Sequence, residues 1–293
     1  PGEASKTREN WSMLTDAMLD DGHGRDSCVV AVGGGVTGDL AGFVASTYLR
    51  GIPVVQVPTS YLAMIDASVG GKTGVDVRAG KNLVGSFHAP RAVFADSDTL
   101  ATLPDAERVQ GLVEAFKHGA ILDAAYLEWL TTAADRLLAV DTETATEAIV
   151  RSVRIKADVV TRDEREGGVR QVLNFGHTVG HALEAATGYA MGHGTAVAAG
   201  MLLEAELGER LGITEGGTRA QIASSLSRLG LSLDSVPSVD LEAAMGFLAS
   251  DKKARSGRPR YVLLRRLGEV EDEEAWSREI PDSLVRDVLA EIA

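Results

Sequence analysis

The chain has 293 residues, of which 45% are hydrophobic, 24% charged and only 5% aromatic; it has ordinary globular composition, is long enough for two cores, and is not a disordered, collagen-like or disulfide-stapled chain. Its 29 Lys and Arg against 42 Asp and Glu give a formal net charge of −13, which argues against nucleic acid or an anionic membrane as a general partner and requires a local basic cluster for any anionic ligand. A single cysteine, Cys28, cannot close an internal disulfide, and no apolar run reaches the roughly 18 residues of a membrane span, so a cytoplasmic location is expected.

In chain order, residues 7–21 carry a helical pattern, and the first clear strand is 27–32 (SCVVAV), running into Gly33-Gly34-Gly35. A doubly wound domain ordinarily has strands ahead of this point and the first residue is Pro1, so the start of such a domain is expected to be missing. Further strands are expected at 53–57 (PVVQV) and 92–95 (AVFA), separated by helical or Gly-rich stretches in the alternation of a parallel sheet. Beyond Pro104 the texture becomes Ala- and Leu-rich with helical periodicity to about residue 248. Helices are expected at 105–122, from a capping box at Thr144 and Glu147 to about Thr161, and at 194–211. The pattern predicts an α/β nucleotide-type domain over 1–100 and a mostly helical domain over 101–293.

Several short motifs carry chemistry. Gly33, Gly35 and Gly38 fit G-x-G-x-x-G after a strand, which suits a pyrophosphate at a helix N-terminus and equally a tightly packed turn. Gly71-Lys72-Thr73 resembles the end of a Walker A loop, but Asp66 stands where that motif requires glycine; what survives is a lysine among glycines, able to hold phosphate as a point charge. Three of the six histidines crowd into one stretch: His177 and His181 at i, i+4 in NFGHTVGH, and His193 in GHG. Thr178 replaces the glutamate of a zincin motif, so a metalloprotease is not expected. A carboxylate would complete a three-ligand metal site, and Glu114 in the apolar GLVEAFKHG segment is a candidate; Lys117 stands at i+3, and most Glu/Lys pairs at this spacing are surface ion pairs. Lys252, Lys253, Arg255, Arg258, Arg260, Arg265 and Arg266 make a basic run around a strand-like YVLL (261–264), read either as a solvated hairpin or as help for a small anion.

Taken together, PGEASK, VGGGVTGDLAGFVASTYLRG, VPTSYLAMIDASVGGKTGVD, GKNLVGSF, TLP, GLVEAFKHG, VRQVLNFGHTVGHALE, HGTAVAAGM, DKK and YVLL resemble, in order and across nearly the whole chain, the 3-dehydroquinate synthase family of sugar-phosphate cyclases. The resemblance implies an N-terminal Rossmann-like NAD-binding α/β domain, truncated at its start, followed by a mostly α-helical metal- and substrate-binding domain. It implies a lyase of the shikimate pathway that uses NAD with Zn2+ or Co2+. Its reaction converts 3-deoxy-arabino-heptulosonate 7-phosphate to 3-dehydroquinate and phosphate by transient oxidation, phosphate elimination, re-reduction and intramolecular aldol closure. On the family pattern Glu114, His177 and His193 are the metal ligands, and His181 takes a second role as a polar contact or proton relay. Substrate phosphate and carboxylate fall to Lys72, Asn82, Lys117, Lys156, Arg170, Asn174 and a DKK lysine, Lys252 or Lys253, a choice that stays open. Arg50 matches a position that reaches a neighbouring subunit, which implies a homodimer. NAD contacts fall on Glu3, Lys6, Gly34, Gly35, Asp39, Thr59, Ser60, Asp66, Lys81, Thr102, Leu103 and Glu107. Thr195 departs from the family, which usually carries glutamate there, and predicts weaker support behind the metal ligands. The missing start predicts poor solubility and little NAD affinity. The alternatives are another cyclase, of amino-dehydroquinate or valiolone type, and an inactive truncated homologue.

Overall fold

A computed structural model describes residues 2–78, 80–251, 258–273 and 276–292. The chain divides into two compact units, one of Pro1–Gly111 with Ala145–Ala157, the other of Leu112–Thr144 with Asp158–Ala293.

In the first unit, helix α1 (Arg8–Asp20) starts where the Thr7 hydroxyl accepts the Asn10 N–H at 3.2 Å, an N-cap. Strands β1 (Val29–Gly33), β2 (Val54–Pro58) and β5 (Ala92–Val93) form a parallel sheet in the order β1-β2-β5, with Val29 opposite Val54 and Val55 opposite Ala92. Helix α2 (Gly35–Thr47) follows β1 directly and buries Phe43, Val44 and Ala45. Its Gly38 and Gly42 have no room for a side chain: a Cβ would stand 2.8 Å from the Gln56 amide oxygen and 2.4 Å from the Thr73 methyl. Ala45, Tyr48, Ile52 and Val54 form the local core. Val30 and Val32 of β1, the edge strand among the described residues, remain 58% and 61% exposed.

Between β2 and β5 stands an antiparallel hairpin, β3 (Lys72–Val77) and β4 (Gly80–Phe87). The sequence pattern does not announce it, because glycine replaces the expected β-branched residues. Gly85 lies so close to β3 that a Cβ there would be 2.1 Å from the Thr73 carbonyl oxygen.

The second unit is built from α3 (Asp105–Leu122), α4 (Ala124–Leu138), α5 (Thr142–Arg162), α6 (His177–Ala186), α7 (His193–Arg210), α8 (Thr218–Ser227), α9 (Leu241–Asp251) and α10 (Asp282–Leu289), with a short hairpin of β6 (Leu264–Arg266) and β7 (Glu269–Val270); α3 and α5 each give part of their length to the first unit. Its core gathers Leu183, Ala199, Leu203, Leu207, Tyr261, Leu263 and Val288 from α6, α7, the 261–264 segment and α10. The cap of α5 differs from expectation. Asp141 is the N-cap, accepting the Thr144 N–H at 3.0 Å, and Thr144 lies inside the first turn. Asp141 can reach that N–H with a carboxylate, a stronger acceptor than the threonine hydroxyl. The YVLL segment also differs. Tyr261 makes only an isolated bridge to Arg278, and the strand proper begins at Leu264.

Candidate metal centre and its surroundings

The second unit brings Glu114, His177 and His193 together. Glu114 sits on α3, fully buried, and its Oε1 is 3.5 Å from His177 Nε2 and 3.3 Å from His193 Nε2. All three ligand atoms lie within 4.8 Å of one another. Tetrahedral bonds of about 2.0–2.1 Å to a zinc ion would separate neighbouring ligand atoms by roughly 3.3 Å, so the two measured gaps fit one divalent ion with a remaining open position. Glu114 Oε1, the oxygen that faces both imidazoles, is the one available as a ligand, while Oε2 lies against Lys117.

Electrostatics prepare this carboxylate. Burial pushes the Glu114 carboxyl up, but the Lys117 ammonium at 2.5 Å from Oε2, together with the imidazoles, outweighs it and holds the group well below the usual carboxylate range. Glu114 and Lys117 are 0% and 2% exposed, so the surface-ion-pair reading of this i, i+3 pair is overturned. Burial and the Lys117 charge pull His177 well below its ordinary value, the neutral form a metal requires. For His193 burial acts the same way, yet the carboxylates of Glu114 and Glu184 prevail and raise it to about 10.

Glu184 was not singled out from the sequence. It stands behind His193, with Oε2 3.5 Å from Nδ1, so each ring nitrogen of His193 faces a carboxylate. A signal existed: His177, His181 and Glu184 fall at i, i+4 and i+7, one face of α6. His181 is exposed, its ring 5.3 Å from His177 and 6.2 Å from His193, and it is no member of the Glu114 group.

Arg170 and Asn174 lie in the 3-10 turn Val169–Asn174 of the same unit. Asp163 organises the preceding loop by accepting N–H bonds from Gly167, Gly168 and Arg170 at 3.0, 2.7 and 3.0 Å. The Arg170 guanidinium is buried and donates to the Glu164 carbonyl at 2.5 Å. Asn174 donates to Glu166 Oε1 at 2.6 Å; Glu166, at φ +60°, is a second polar neighbour without a periodic signal in the sequence. Lys252, Lys253 and Arg255 lie outside the described residues. Of the basic run, Arg258, Arg265 and Arg266 pair with Glu279, with Asp272 and Glu273, and with Glu269, while Arg260 bonds Ser277, which favours the solvated-hairpin reading.

The first unit gathers the remaining candidates. Lys6 is 3% exposed, with Nζ 2.8 Å from Glu3, 3.2 Å from Asp39 and 3.8 Å from Asp76. Burial pushes the Asp39 carboxyl up to about 6 even with Lys6 beside it. Lys156, buried on α5, reaches the Asp66 carboxylate at 2.8 Å and its carbonyl at 2.6 Å; Asp66 lies in a π-helical turn, Ala63–Ala67. Gly34 caps α2 and Gly35 opens it, so the strand-to-helix turn has the expected form. Ser60 accepts the Ala63 N–H at 3.3 Å, and the Thr59 N–H bonds the Gly33 carbonyl at 2.9 Å, which ties the end of β2 to that turn. Lys72 is exposed at the start of β3, and the Asn82 N–H donates to Asp76 at 2.8 Å. Lys81 is half-buried on β4, and Arg50, at φ +69°, is exposed. Thr102 ends a 3-10 turn followed by half-buried Leu103, and Glu107 is exposed in the first turn of α3.

Residues 1–110 match the model of the 3-dehydroquinate synthase N-terminal domain, and residues 111–254 that of the C-terminal domain. The chain belongs to the 3-dehydroquinate synthase family. A 3-dehydroquinate synthase of Xanthomonas campestris pv. campestris is 48% identical over 276 residues, 92% of this chain and 75% of that relative. Among solved structures, a 2-deoxy-scyllo-inosose synthase complexed with carbaglucose-6-phosphate, NAD+ and Co2+ superposes with a TM-score of 0.93 at 28% identity, covering 100% of this chain and 82% of the other. The 2-epi-5-epi-valiolone synthase ValA of Streptomyces hygroscopicus subsp. jinggangensis 5008, with NAD+ and Zn2+ bound, gives 0.90 at 27%, covering 100% and 81%. The Rossmann-like first domain and mostly helical second domain are therefore the architecture of sugar-phosphate cyclases. Among the described residues no helix is long and apolar enough to cross a membrane.

Proposed function

We propose that this chain is a 3-dehydroquinate synthase that uses NAD and one divalent ion, Zn2+ or Co2+, to convert 3-deoxy-arabino-heptulosonate 7-phosphate to 3-dehydroquinate and phosphate. The observation that carries the reading is the Glu114–His177–His193 ligand set, inside a chain 48% identical to a curated synthase. Glu114, His177 and His193 would hold the metal, which would supply Lewis-acid chemistry to substrate oxygens, and NAD would supply reversible hydride-acceptor chemistry.

The chain's own residues do the rest. Lys117 holds Glu114 ionised as a ligand, and Glu184 fixes the His193 ring so that Nε2 faces the ion. Lys72, Asn82, Lys156, Arg170 and Asn174 supply charge-assisted hydrogen bonds to an anionic substrate, with Arg170 and Asn174 on its carboxylate. A chain of net charge −13 requires such local cations to hold a sugar phosphate. Lys6, braced by Glu3 and Asp39, belongs to the NAD contacts, with Gly34 and Gly35 close to the phosphates. His181, exposed beside the metal ligands, relays protons or touches substrate. The working form is a cytoplasmic homodimer in which Arg50 reaches the neighbouring subunit's phosphate site.

The test is phosphate release from 3-deoxy-arabino-heptulosonate 7-phosphate by the purified chain. Release that needs catalytic NAD, stops on chelation and returns with Zn2+ or Co2+ is expected. A preference for sedoheptulose 7-phosphate, or stoichiometric accumulation of NADH, would overturn the reading.

A further inference from the structure

Among the described residues, the most deeply buried carboxylate outside the ligand set is Glu204, in the middle of α7. It is 0% exposed, in a helix otherwise lined by Ala, Val, Leu and Met on its buried side. No cation pairs with it among the described residues; its oxygens go to backbone N–H groups at the start of α6, Gly176 at 2.8 Å and Val179 at 3.3 Å, with Thr178 N–H a further partner. A helix start leaves its first N–H groups without intrahelical acceptors. The N-cap of α6 is Gly176, in the left-handed region at φ +79°, and it has no side chain to satisfy them. Glu204 supplies the oxygens; burial raises its carboxyl to about 8 even though these amides and the positive end of the helix dipole act against that rise, and the N–H contacts define the geometry.

The residue between these anchored amides is His177. We infer that Glu204 is a positioning residue of the metal centre: it clamps the first turn of α6 onto α7 and so sets where the His177 imidazole stands relative to Glu114 and His193. The packing at the same point leaves little slack. A Cβ on Gly180 would meet the Ala196 carbonyl at 3.0 Å, so the helices touch backbone to backbone and the clamp acts at a fixed separation. This role rests on the reading of Glu114, His177 and His193 as metal ligands.

The test compares the full chain with Glu204→Gln, which keeps one acceptor oxygen, Glu204→Met, which keeps none, and Leu207→Ala, a core truncation one turn further along α7. Cobalt affinity is measured by competition with a chromophoric chelator, alongside the Co2+ absorption band and the thermal midpoint. Cobalt affinity is expected to fall at least about tenfold in Glu204→Met and less in Glu204→Gln, with an altered band, as when a ligand loses its orientation. Leu207→Ala is expected to lose thermal stability with wild-type affinity. Wild-type affinity in both Glu204 variants overturns the inference, as does an equal loss in Leu207→Ala; if Glu204→Met does not fold, the Gln variant decides. Failure of the wild-type chain to bind cobalt overturns the metal centre itself, and is read before any variant is compared.

Discussion

Replacing Gly200 with alanine puts the contact between α6 and α7 under a defined load. The new Cβ would stand 1.9 Å from the Gly176 carbonyl oxygen, 2.8 Å from its carbon and 3.0 Å from the Gly180 nitrogen, all backbone atoms that cannot rotate aside. Ordinary contact begins near 3.4 Å, so α6 must retreat by about 1.5 Å at this point. Overpacking of this kind costs about 1–3 kcal/mol, which lowers the thermal midpoint by roughly 2–5 °C in a chain of this size. The residue after Gly176 is His177, and metal–ligand distances tolerate only about 0.2 Å, so the shift should also weaken metal binding at least about tenfold. Gly246→Ala in α9 is the internal contrast: nothing lies within 4 Å of its Cβ, and removing a helical glycine should stabilise by about 0.5–1 kcal/mol. Differential scanning calorimetry and zinc titration of the two variants check both halves. A Gly200→Ala chain with wild-type midpoint and zinc affinity would refute the reasoning.

Two further expectations use the same physics. Glu184→Ala removes the acceptor behind His193 Nδ1 and should weaken zinc binding by about 10–100-fold, with Glu184→Gln recovering part of the loss; calorimetric titration showing no change would contradict the orienting role. Asp39, raised by burial from 3.8 to about 6, keeps its proton in the folded chain over a range where the unfolded chain has lost it. Its contribution therefore favours folding below pH 4, declines as pH rises through 4 to 6, and is absent above 6, a swing of about 3 kcal/mol. Lys6, Glu3 and Lys156 are the charges that act on it. Asp39→Asn should flatten this part of the stability–pH curve in urea titrations, and an unchanged slope would count against it.

Much of the architecture is written locally. The helix expected at 105–122 is found at Asp105–Leu122, and the one expected at 194–211 at His193–Arg210, because their apolar spacing is unbroken over many turns. The parallel strands were legible as short Val-rich runs ended by Gly or Pro. The β3–β4 hairpin was not, since its glycines serve close strand contact rather than β-propensity. At the metal centre the ligand types and the i, i+4 histidines pointed to metal chemistry, and the family motif was needed to choose His177 with His193. Glu184 and Glu204 were hidden for a different reason. Spacing places Glu184 on the histidine face of α6, but which atom it meets, and the contact of Glu204 with the start of α6, depend on how α6 and α7 face each other, a tertiary fact.

The most direct measurement is the metal content and affinity of the purified chain beside Glu114→Gln, His177→Ala and His193→Ala. One tightly held Zn2+ or Co2+ per chain is expected, with binding severely weakened in each variant and phosphate release lost in step. A chain that takes up no divalent ion, or binds it equally well without Glu114, would contradict the account.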